Sequence, residues 1–262
     1  FVWFALSWAY NYDRVQVADK IPLHPERTNA GAVLALANGT IDALSRDVAA
    51  AHRERPSDDE IARRLYPHFL AVIHRLGEDA DVSPPRVKLT MFQPLFEATA
   101  TNGFTDPWTH EVNLDATAFW YERPAIYAHE WAHIAGFADE TEANFIAVLT
   151  CATSGDPLLR YSGSLLTWFN LPSSVRATHK INRQAYNDIN AVRTRVLKHI
   201  QPTVERASRA AYDQYLKANR VEAGFASYGL FIRWLTAADF DRDGLPLVKN
   251  GVSRSTTEPV AR

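Results

Sequence analysis

AIYAHEWAHIAGFADETEAN, residues 125–144, carries His129, Glu130 and His133 in the spacing H-E-x-x-H. On a helix, residues four apart leave the same face one turn from each other, so both imidazoles can grip one zinc ion at about 2.0–2.1 Å. Glu130 then stands beside them, able to take a proton from a water that the metal activates. The bland alternative is an amphipathic helix that carries two of the chain's nine histidines by chance. The residues that follow weigh against it.

A catalytic zinc takes a third protein ligand and keeps one position open. Gly136 stops the helix three residues after His133, as a glycine in the left-handed conformation does. Asp139, Glu140 and Glu142 come next. A metzincin arrangement would use Asp139, but it needs a methionine turn downstream, and the single methionine, Met91, lies upstream. Glu140 and Asn144 are four apart at the start of a second apolar helix, residues 140–151, so Asn144 can hold a ligand histidine while Glu140 binds the metal. Glu142 has Ile146 at the same offset and lacks that support. Glu140 is therefore the expected third ligand, with Glu142 its competitor.

E-x-x-A-N after H-E-x-x-H resembles the gluzincins, zinc peptidases with two histidines and a glutamate from a second helix. More closely, the chain is similar to a bacterial domain-of-unknown-function family of membrane-anchored predicted zinc peptidases. The matching stretches are HEWAHIAGFADETEANF, LRYSGSL (159–165), YDQYLKANRVEAGFASYG (212–229) and the opening WAYNYDR (8–14), which span nearly the whole chain. The resemblance implies several membrane spans ahead of Phe1 and a catalytic domain on the extracytoplasmic, periplasmic side. One departure stands out. Where a Gly-Glu-Ala-Asn-like segment is expected before the active helix, this chain has His110, Glu111, Val112 and Asn113, so the floor of the substrate cleft is expected to differ.

A chain of 262 residues, 47% of them hydrophobic, can bury a sizeable core. Its formal net charge of −2 leaves no electrostatic footprint for nucleic acid. The lone cysteine, Cys151, excludes an internal disulfide and reads as a small buried hydrophobe on an apolar helix face. The run FVWFALSWAY, residues 1–10, is too short to span a bilayer, which takes about twenty residues, but reads as the end of a span with Trp8 and Tyr10 at the interfacial belt. The other reading is a buried N-terminal element.

Residues 15–27 read as a polar, proline-containing linker. A helical region over 28–53 follows, open to interruption at the turn pair Asn38-Gly39. Ser57 and Glu60 form a capping box before a helix that ends at Gly77. His68 and His74 lie in it six apart, on different faces. Residues 87–92 and 108–114 read as short strands, joined by a loop rich in Thr, Gly and Pro. The second, just before the active helix, is where an extended substrate could pair by strand addition. Pro124 suits the first turn of the active helix. Helices are expected over 156–170, 172–200, 203–218 and 224–240. Asp239, Asp241, Asp243 and Gly244 open like a calcium-binding EF-hand loop, but Asn250 stands where a bidentate glutamate is needed, so an acidic turn is the better reading.

The expected architecture is α+β and mostly helical, a zincin-like metallopeptidase domain with a small sheet beside the active helix. Residues 1–14 form the membrane-proximal segment, 15–252 one catalytic domain, and 253–262 a polar tail. The expected chemistry is peptide hydrolysis with zinc on His129, His133 and Glu140, Asn144 orienting a ligand, and Glu130 as general base. The oxyanion of the tetrahedral intermediate needs a further donor, for which Tyr228 is the first choice ahead of His110 and Tyr212. The rival is a non-catalytic subunit of a membrane complex that retains a peptidase-like fold. Four intact site residues speak against it, because a scaffold has no use for them.

Overall fold

The computed structural model describes Trp8, Asn11 and residues 14–78, 86–176, 180–218 and 230–249. Helix α1, Val17–Lys20, lies in the stretch expected to be a polar linker, yet Val17 and Ile21 are fully buried. They are four apart and so share one face, which packs into the core; Asp19 between them is exposed, while Lys20 is buried beside them. Helix α2, Ala30–Ala51, starts on Asn29, whose side chain accepts a hydrogen bond from the Ala32 N–H. It runs straight through Asn38-Gly39. An interior glycine costs about 1 kcal/mol relative to alanine, and the burial of Ala37, Ile41, Leu44 and Val48 along one stripe outweighs that. In helix α3, Asp58–Arg75, Ser57 caps the Glu60 N–H at 3.3 Å. The return half of the expected box is not made, because the Glu60 carboxylate pairs with Arg63 and Arg64 instead.

The sheet has three strands, β1 (Val87–Leu89), β2 (Gly103–Thr105) and β3 (Val112–Leu114), in the order β1-β3-β2. Strand β3 pairs parallel with β1 and antiparallel with β2. Both expected strands are present but shorter than read, and the one before the active helix is central, with no free edge for a substrate. The edge strands are β1 and β2, the latter in the segment read as loop. Helix α4, Gln93–Thr99, was also hidden there, with Pro94 in its first turn.

Helices α5 (Arg123–Ile134) and α6 (Glu140–Ala152) form the centre, and α6 is buried on every side over Glu140–Cys151. Trp131 of α5 meets Tyr66 and Phe69 of α3 edge to face, with ring centroids at 6.1 and 5.6 Å. Helix α7, Pro157–Asn170, starts on the Asp156 cap and crosses α6 where Gly163 meets Cys151: a Cβ on Gly163 would fall 2.5 Å from the cysteine Cβ. Burial pushes the Cys151 thiol well up, so it stays a neutral packing group.

The helix expected over 172–200 is two, α8 (Ser173–Arg176) and α9 (Arg183–His199), the second capped by Asn182. Helix α10, Pro202–Ala218, packs on α4, and Gln201 just before it donates its N–H to the Ala98 carbonyl at 3.0 Å. Of the helix expected over 224–240, residues 224–229 lie outside the described residues, and helix α11, Phe231–Ala237, ends earlier than expected, with Ala238 extended. The acidic turn after it is tied to basic partners, Asp239 to His24 and Arg27 and Asp241 to Arg75. The protein is thus mostly helical with a small mixed sheet. Among the described residues, no helix is long and apolar enough to cross a membrane.

Candidate metal centre

Helix α5 presents His129, Glu130 and His133, and a tight turn brings α6 back so that its first residue faces them. Gly136 makes the turn at φ +95°, with its N–H bonded to the His133 carbonyl and the Phe137 N–H to the Ala132 carbonyl. Only glycine fits: the φ disfavours other residues, and a Cβ would sit 1.8 Å from the Arg14 guanidinium. Arg14 donates to the Ala135 carbonyl at 3.0 Å and, with Lys20, pairs with the buried Glu78.

Three atoms converge. His129 Nε2 and His133 Nε2 are 3.2 Å apart, and Glu140 Oε2 lies 3.1 and 3.6 Å from them. Two ligands at about 2.0–2.1 Å from a tetrahedral zinc stand about 3.3 Å apart, so these separations fit one ion. The outer nitrogens are engaged with acceptors. His133 Nδ1 donates to the Phe137 carbonyl at 2.8 Å, and His129 Nδ1 donates to Asn144 Oδ1 at 3.1 Å. A proton on each Nδ1 leaves the Nε2 lone pairs of the neutral rings for a metal. Glu140 Oε2 is buried without a hydrogen bond, a costly state for a carboxylate oxygen unless a cation satisfies it. The residues therefore could hold a metal ion.

Charge agrees with shape. Burial pushes the His133 imidazole down, but the Glu140 carboxylate more than offsets it and lifts the ring to about 9. Burial likewise opposes the Glu140 charge, yet His133 and His129 hold its carboxyl well below the usual carboxylate range. A proton or a metal cation neutralises this pair at neutral pH.

The other two acids near the turn have different work. Asp139 caps α6, accepting from the N–H groups of Thr141 and Glu142. Glu142, one turn-face away from Glu140, accepts from the Val17 N–H at 2.5 Å, and burial raises it to about 7. Glu140 alone of the three reaches the histidines, as the pairing with Asn144 implied.

Glu130 is 4% exposed and points at β2. Thr105 Oγ1 donates to its Oε2 at 2.6 Å, and a Cβ on Gly103 would lie 2.5 Å from its Oε1. The glycine lets the strand press against the carboxylate. Bonds from Asp115 N–H to the Asn102 carbonyl and from Asp106 N–H to the Glu111 carbonyl set the antiparallel alternation, so Gly103 and Thr105 turn their backbone groups to the outer edge of β2. The side-chain face of Gly103 and Thr105 is the one that meets Glu130.

Of the three oxyanion-donor candidates, Tyr228 lies outside the described residues. His110 sits at φ +55° with its ring 6.4 Å from Trp8, whose own ring lies 6.1 Å from His133. Trp8 is buried against the centre, and the rest of residues 1–10 lies outside the described residues. Tyr212 donates its hydroxyl to Glu140 Oε1 at 2.6 Å. Sequence reasoning gave it a different task and carried no signal for this one, since the two residues are 72 apart.

A family model described as a protein of unknown function (DUF3810) matches residues 1–236, from the opening run through both helices of the centre and Tyr212. The chain belongs to this family. No curated protein and no solved structure matches it. Membership assigns no chemistry, so any functional reading rests on the residues described above.

Proposed function

We propose that this protein is a zinc-dependent metallopeptidase of gluzincin-like design, and that its domain is zincin-like. The observation that carries the reading is the convergence of His129 Nε2, His133 Nε2 and Glu140 Oε2 at separations of 3.2, 3.1 and 3.6 Å beside a buried glutamate that is not among them. Zinc bound there would supply a Lewis acid and lower the pKa of a water. The chain's own groups do the rest. Asn144 and the Phe137 carbonyl fix the two imidazoles. Glu130, steadied by Thr105, takes a proton from the attacking water and returns it to the leaving amine. The outer edge of β2 offers the backbone groups of Gly103 and Thr105 to an extended peptide, which sets its scissile carbonyl alongside Glu130. Tyr228 remains the proposed donor to the oxyanion.

The test is direct. Purified protein is expected to hold about one tightly bound zinc per chain and to cleave members of a peptide library, with activity removed by a chelator and restored by zinc. Absence of tightly bound metal would favour the non-catalytic subunit of a membrane complex.

The same proposal places the domain outside the cytoplasm, anchored through spans ahead of Phe1. Its support is the family resemblance and the apolar run of residues 1–10. Full-length protein is expected in the membrane fraction, with this domain open to external protease in spheroplasts. Recovery as a soluble cytoplasmic protein would overturn the placement.

A further inference from the structure

Glu140 has two oxygens in two different situations. Oε2 faces the imidazoles with no hydrogen bond, while Oε1 accepts the Tyr212 hydroxyl at 2.6 Å. The tyrosine comes from α10, a helix that packs chiefly on α4. A phenol donating at this distance to a carboxylate makes a strong, charge-assisted bond. It takes up one of the two lone pairs of Oε1 and holds the carboxylate in one orientation.

We propose that Tyr212 is a positioning residue that restricts Glu140 to binding metal through Oε2 alone. The proposal rests on the zinc reading above and adds to it how the open coordination position is kept. A carboxylate free to swing can bind through both oxygens and fill the place that water or substrate must take. With Oε1 tied to Tyr212, the protein ligands stay at three. Because the hydroxyl proton is given to Glu140, Tyr212 is not the donor to the oxyanion. The bond also makes the centre depend on α10, which links α4 to the first residue of α6.

Tyr212→Phe removes the hydroxyl and nothing else, so the metal-free protein is expected to keep its fold with a lowered melting temperature, because Glu140 Oε1 loses its donor. Zinc affinity, measured by competition with a chromogenic chelator, is expected to fall about ten- to a hundredfold, as for other residues that orient a metal ligand. The second readout is the visible spectrum of the cobalt(II)-loaded protein. Four-coordinate cobalt absorbs strongly and five-coordinate cobalt weakly, so the variant is expected to lose band intensity as Glu140 becomes bidentate. Wild-type affinity and spectrum in the variant would overturn the proposal. So would weaker binding with an unchanged spectrum, which would make α10 a general support. A wild-type chain that binds neither zinc nor cobalt would overturn the zinc reading itself and this proposal with it.

Discussion

Glu130→Gln is expected to keep its zinc and its fold and to lose peptide hydrolysis by about two to four orders of magnitude, the usual worth of a general acid–base group. The substitution is nearly isosteric. Thr105 Oγ1 now donates to Glu130 Oε2 at 2.6 Å, and an amide oxygen in the same place accepts that bond equally well. Gly103 leaves room for the side chain and little more. At 4% exposure, replacing a carboxylate by a neutral amide also lightens the cost of burial, so no loss of stability is expected. What disappears is the ability to accept a proton. Zinc content and peptide turnover measured on the same preparation separate the two effects, and wild-type turnover in the variant would sink the mechanism.

The second large effect concerns the metal itself. Glu140→Ala is expected to abolish tight zinc binding, because two histidines on one helix leave the ion short of a ligand. Asn144→Ala removes the acceptor for His129 Nδ1 and is expected to weaken zinc about ten- to a hundredfold. Glu142→Ala and Asp139→Ala are expected to keep the metal. The first frees the Val17 N–H and loosens α1, and the second removes a helix cap worth about 1 kcal/mol. A zinc titration of the four variants, with melting curves alongside, distinguishes loss of a ligand from loss of support. Retention of zinc by the Glu140 variant with loss in the Glu142 variant would show that the other face of α6 binds it.

The part of the site that rests on helical periodicity was legible in the sequence. His129 and His133 share a face because four residues nearly complete a turn, and Glu140 was separated from Glu142 because only it had a polar residue one turn further on. Helix α3 announced itself through its Ser57 cap beside an apolar stripe. What stayed hidden lacks local signal. Strand β2 has three residues, one of them glycine, too few to alternate, and its identity as an edge depends on β1 pairing with β3 across more than twenty residues. Helix α4 was masked by Pro94 and a threonine-rich surround. Residues 15–27 looked like a linker because their composition is polar, although Val17 and Ile21 carry the packing. The Tyr212–Glu140 bond comes from helices far apart in the chain, and no pattern of spacing encodes it.

The clamp of Arg14 over Gly136 has a practical consequence for anyone preparing this domain. The hydropathy of the first ten residues invites a shortened gene that begins just after them, to favour expression. Such a cut would discard Trp8, which lies against His133, and would leave Arg14 at a frayed end with its hold on the Ala135 carbonyl weakened. The turn joining α5 to α6 would lose its outer wall, and a poor metal content in that preparation would report on the trimming, not on the protein.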